Sequence, residues 1–123
     1  MYTLPARLRW RIVLTGHVHN YQRIDKQIGG SEPTPFIVAG NGGYYHLHNL
    51  TAKNCDSDPT TGTHRIASDD RRHGYLTLTV TANTISGSYT AITKGTGKPV
   101  TNVDTFEYPT ALVTLPATAV ASL

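Results

Sequence analysis

The chain has 123 residues, with 11 Lys and Arg against 8 Asp and Glu, a formal net charge of +3, and a single cysteine. That length supports one domain with a modest core, and the lone Cys55 excludes an internal disulfide or a cysteine-built metal site. Apart from Arg7/Arg9/Arg11 and Arg71/Arg72 the cations are scattered, so the charge reads as solvated rather than as a nucleic-acid face.

A few arginines beside a phosphate ester would be equally natural. Membrane association is not expected, since no stretch approaches the roughly 20 apolar residues of a span. Met1 to Pro5 lacks the charged and apolar regions of a signal peptide. The compartment of a longer parent protein stays open.

In chain order, residues 4–10 read as the end of a short helix, and 11–15 as a buried strand, because a β-branched apolar run suits a parallel strand covered on both faces. Residues 20–35 hold Gly29-Gly30-Ser31 and two prolines and read as loop. Phe36 to Ala39 is a second buried strand, ended by the Gly40-Asn41-Gly42-Gly43 turn. Residues 49–72 are polar and read as a long surface loop with a short helical piece.

The clearest pattern follows. Leu76, Leu78 and Val80 alternate with threonines, Ala82-Asn83 turns the chain, and Ile85, Gly87 and Tyr89 alternate on the return, which predicts a β-hairpin with one buried face. Lys94 to Pro99 is another turn and Val103 to Tyr108 a last strand. The expected fold is mainly β with few helices. Residues 1–108 form the folded portion, and 109–123 a loosely held or disordered tail. Two buried-type strands without a crossover helix need cover that this chain offers sparingly.

Gly16-His17-Val18-His19 carries the chemistry. Glycine lets the backbone turn, and histidines at i and i+2 projecting from a strand end share one face. Imidazole is the commonest side-chain ligand for transition metals. Two such ligands suit a dinuclear site, whose ions stand about 3.5–4 Å apart and activate water while neutralising phosphoryl charge. By itself His-x-His is weak, because many such pairs lie on surfaces or in hydrogen-bonded cores. For His46 and His48 a surface or packing role is favoured over a pocket role. Asp69-Asp70 reads as a solvated turn entering a strand, since adjacent residues on an extended chain point apart. Asn41, on its glycine-rich loop, is a candidate near the cleft. Tyr21 and Arg23 are candidates for the substrate side, with packing and solvation as their alternatives.

Leu14-Thr15-Gly16-His17-Val18-His19-Asn20-Tyr21-Gln22-Arg23 resembles the last metal-ligand motif of the calcineurin-like metallophosphoesterases, in the purple acid phosphatase-like branch. Pro35 to Tyr44, Leu47-His48 and Asp69 to Leu76 resemble that family's C-terminal segments in the same order. The resemblance implies that His17 and His19 each ligate one ion of a pair (Fe, Zn or Mn). It further implies that Gly16 permits the tight exit from the strand and that the substrate is a phosphate ester. It also implies that the chain is the C-terminal part of a four-layer α/β/β/α sandwich. The family's Asp-x-His, Gly-Asp and Gly-Asn-His motifs, which precede this one, do not occur. An isolated chain of this kind is expected to bind metal partially and to be inactive. Two rival readings are a non-catalytic β-rich module that pairs with a separate N-terminal half or self-associates, and the product of a truncated or misassigned gene.

Overall fold

The computed structural model describes residues 11–28, 33–50 and 57–110. The expected helix end at 4–10, Cys55 and the tail beyond Thr110 lie outside the described residues. Eight strands are formed, β1 (Val13–Thr15), β2 (Tyr21–Lys26), β3 (Thr34–Ala39), β4 (Ser57–Asp58), β5 (Thr63–Asp69), β6 (Gly74–Val80), β7 (Thr84–Ile92) and β8 (Pro99–Pro109), with no helix among the described residues. The chain is therefore mainly β, as its alternating pattern dictates.

The strands make two sheets, ordered β1-β3-β2-β5-β4 and β6-β7-β8. β1 lies parallel to β3, with Val13 opposite Phe36. A parallel pair needs a connection that returns to the same end, and here β2, antiparallel to β3, supplies it. That is why no crossover helix is required. The expected loop at 20–35 is corrected accordingly: Tyr21-Gln22-Arg23-Ile24-Asp25-Lys26 is a central strand, paired on one side with β3 and on the other with β5. Its charged residues disguised it, because they are satisfied across the sheets rather than by water. The long loop expected at 49–72 is likewise corrected, since β4 and β5 occupy 57–58 and 63–69. β1 is not buried on both faces, for Leu14 is half exposed at the sheet edge.

The β6–β7 hairpin forms as expected, in register from Gly74 opposite Ala91 to Val80 opposite Ile85. Its inner face holds Ile85, Gly87 and Tyr89 with the half-buried Leu76 and Leu78, while Val80, next to the turn, is exposed. The last strand is longer than expected and bulges beside Thr90, where Asn102 takes φ 56°.

The sheets join through one seam. Tyr21 and Tyr89 stack with centroids 4.0 Å apart, an arrangement worth about 0.5–1.5 kcal/mol beyond the area it buries. Beside them the Arg23 guanidinium forks onto Asp104, Nε to Oδ2 and Nη2 to Oδ1, each at 2.8 Å, and lies 5.4 Å from the Phe106 ring centroid. Tyr21 donates to Asp104 at 2.7 Å and Tyr108 to Asp25 at 3.2 Å. Phe106 finds room because position 87 is glycine: a Cβ there would stand 2.1 Å from the ring's Cζ. No buried side-chain polar atom among the described residues lacks a hydrogen bond, which is the condition for a polar seam to stabilise rather than to weaken a core.

Candidate metal-ligand corner

The histidine motif does not lie on a strand end. β1 stops at Thr15, and residues 17–20 make two consecutive tight turns, closed by Val18 N–H to Gly16 O and Asn20 N–H to Val18 O, both at 2.8 Å. Hydrogen bonds between i and i+2 define γ-turns, and each histidine is the central residue of one. His17 has φ 69°, the rarer and more strained form, of the kind that clusters at functional sites. The strand-end geometry expected for His17 and His19 is thus corrected. The reversal is absorbed by His17 itself, not by Gly16, which carries no positive φ and has open space where a Cβ would stand.

The glycine that the corner needs is Gly40, at the end of β3. A Cβ there would meet the Val18 carbonyl oxygen at 2.0 Å, and the Gly40 N–H donates to Asn20 O at 3.1 Å. Asn20 is fully buried and donates through Nδ2 to His48 O at 3.0 Å. The corner is therefore clamped between the end of β3 and the loop at 40–50.

His19 is held on two sides. Its Nδ1 lies 3.0 Å from the His46 carbonyl oxygen. A carbonyl only accepts, so Nδ1 carries a proton, and in the neutral imidazole Nε2 then keeps the lone pair. Histidines that ligate metals almost always donate their other ring nitrogen in this way. The His48 ring stacks on His19 with centroids 4.4 Å apart and planes at 13°, and His48 Nδ1 accepts the His19 backbone N–H at 3.1 Å. That bond puts the His48 proton on Nε2, which makes His48 a buttress and not a donor. His46 contributes its carbonyl, and its ring tilts against Tyr45. Tyr44 tilts against His19 at 45°, its ring centroid 4.4 Å away. His17 is exposed and joins none of these ring contacts. Among the described residues no group of three or more His, Cys, Asp or Glu stands close enough to hold a metal ion.

The remaining candidates sit elsewhere. Tyr21 and Arg23 are buried in the inter-sheet seam, 1% and 9% exposed; Tyr21 packs there, and Arg23 is paired with Asp104 rather than solvated. Burial foremost, then the hydrogen bond to Asp104, pushes the Tyr21 hydroxyl far above its ordinary range. Burial would raise Asp104 as well, but the hydrogen bonds from Arg23 and Tyr21 outweigh it and hold the carboxyl low. Asn41 is also buried and pins the loop to the second sheet, donating to Arg72 O at 2.9 Å and to Tyr89 OH at 2.6 Å. Burial, reinforced by the Asp69 charge, pushes Tyr89 up to about 12. Asp69 is not solvated as expected. It is 8% exposed and caps the β5–β6 turn, accepting the Arg71 and Arg72 N–H groups at 3.1 Å and Arg72 Nε at 2.8 Å. Sequence reading missed Gly40 and Tyr44. The run of small residues at 39–43 was a signal for close backbone approach, while nothing in the pattern marked Tyr44.

Comparisons with protein families, with characterised proteins and with solved structures returned no match.

Proposed function

We propose that this chain carries one ligand corner of a dinuclear centre in a metal-dependent phosphoesterase of the calcineurin-like kind, with His17 and His19 each ligating one ion and the other ligands supplied from outside the sequence. The observation that carries this reading is the hydrogen bond between His19 Nδ1 and the His46 carbonyl, which in the neutral imidazole leaves Nε2 as the lone-pair nitrogen. The motif's resemblance to that family and the strained φ of His17 support it. On this reading the two sheets belong to one half of a four-layer α/β/β/α sandwich.

When bound, the ions would supply Lewis acidity toward a phosphoryl oxygen and an activated water. The chain's own part is positional. His48 stacks on the His19 ring, Tyr44 tilts against it, and Asn20 ties the loop that bears them. Titration of the chain with Zn²⁺ or Mn²⁺ should give weak binding that His17→Ala and His19→Ala each reduce, and hydrolysis of an aryl phosphate should stay at background. Metal-dependent hydrolysis by the chain alone, abolished by His19→Ala, would overturn the reading of an incomplete site.

A second reading, an association module, draws on the apolar side chains left outside, with Leu14 51%, Tyr75 52% and Val80 68% exposed. Light scattering on the eluting chain tests it. A concentration-independent monomer rules out self-association.

A further inference from the structure

The loop at 43–50 has a second side. Tyr44 and His48 turn toward His19, whereas Tyr45, Leu47 and Asn49 line a cavity of about 610 Å³ closed by the β5–β6 turn and the β7–β8 turn. That volume lies within the range of small-ligand sites, roughly 300–1,000 Å³. Its wall carries Arg71, Arg72 and Lys94 against one carboxylate, Asp70. Arg72 Nε is committed to Asp69, and Asp70 Oδ2 accepts the Leu50 N–H at 2.8 Å. The Arg71 and Lys94 side chains enter no ion pair among the described residues. Two cations with no ion pair among the described residues, both lining one concavity, suit a phosphate group, which Arg can take bidentately and Lys as a point charge. Tyr45, which also lines the cavity, is 75% exposed, its ring braced by Tyr44 at 4.8 Å and His46 at 4.3 Å. A braced and open aromatic beside cations is a stacking surface for a flat ring.

We propose that this cavity binds an aromatic phosphate of the nucleoside monophosphate class, with the phosphate at Arg71 and Lys94 and the ring against Tyr45. The site uses neither His17 nor His19, so it stands or falls apart from the metal corner. The test is calorimetric titration of the full chain in excess EDTA, which removes any metal contribution. The probes are adenosine 5′-monophosphate, ribose 5-phosphate, inorganic phosphate and adenosine. The nucleotide should bind saturably and more tightly than the other three. Arg71→Ala combined with Lys94→Ala should weaken the nucleotide and ribose 5-phosphate alike, by about tenfold. Tyr45→Ala should weaken the nucleotide by roughly fivefold and leave ribose 5-phosphate unchanged. All three side chains are exposed, and circular dichroism verifies that the variants fold. Three results would each overturn the proposal: no saturable binding of any phosphate probe, inorganic phosphate binding as tightly as the nucleotide, or variants that bind like the parent chain.

Discussion

The seam between the sheets and the histidine corner are both rich in polar and aromatic side chains, yet they are built in opposite ways. In the seam Tyr21, Arg23, Asp104 and Tyr108 satisfy one another inside the protein. At the corner the His48 ring stacks on His19 and Tyr44 tilts against it, and in the neutral imidazole a lone pair is left on His19 Nε2. The contrast separates what holds the fold from what is available for chemistry: the sheets carry the polar seam, and a loop anchored to them presents the candidate ligands. Damage to the seam should therefore unfold the chain, whereas damage to the corner should cost binding first.

The largest expected effect is at the seam. Asp104→Ala leaves the buried guanidinium of Arg23 without its carboxylate, and loss of one partner of such a pair costs about 3–5 kcal/mol, readable by urea denaturation. The same groups set the pH response. Asp104 is held below its ordinary 3.8, so its contribution is complete above that value and is lost as pH falls through the lower folded one. Tyr89 is raised from 10.0 to about 12, so its contribution is complete below pH 10 and is lost as pH rises toward 12. Thermal melts should fall off on both flanks and stay flat between. Asp104→Asn should remove most of the acid limb.

Gly40→Ala comes next. The added methyl must push the Val18 carbonyl away, an overpacking worth about 1–3 kcal/mol, and it should loosen the γ-turns and lower metal affinity together. Tyr89→Phe deprives Asn41 Nδ2 of one of its two acceptors, a loss of about 1 kcal/mol, with metal affinity unchanged. The smallest stability change is expected from His19→Ala, within about 1 kcal/mol because the residue lies in a loop and is only half-buried, although metal binding should disappear. A His19→Ala variant that unfolds the chain would erase the distinction between seam and corner.

Much of this architecture was legible in the sequence, and the failures share a cause. The hairpin from Leu76 to Tyr89 announced itself because one face meets apolar partners and the other meets water. β2 did not, because Tyr21, Arg23 and Asp25 face Asp104 and Tyr108, more than 75 positions away, and local pattern cannot register a charge whose partner is that distant. The corner's residue types were visible, but its geometry was not. Which residue takes the positive φ is decided by the approach of Gly40 to Val18, a contact between β3 and the motif that only the sheet order creates. Arg71 and Lys94 meet across a cavity for the same reason, their separate turns being brought together by the second sheet.

The corner's central claim concerns a nitrogen, and it can be observed at that nitrogen. Long-range ¹H–¹⁵N spectra of the imidazoles, recorded as Zn²⁺ is added, report which ring atom carries a proton and which takes the metal. The account predicts that His19 keeps its Nδ1 proton while its Nε2 resonance moves on binding, that His17 responds with it, and that His48 retains its Nε2 proton throughout. Metal uptake by His48 with His19 unmoved would contradict it.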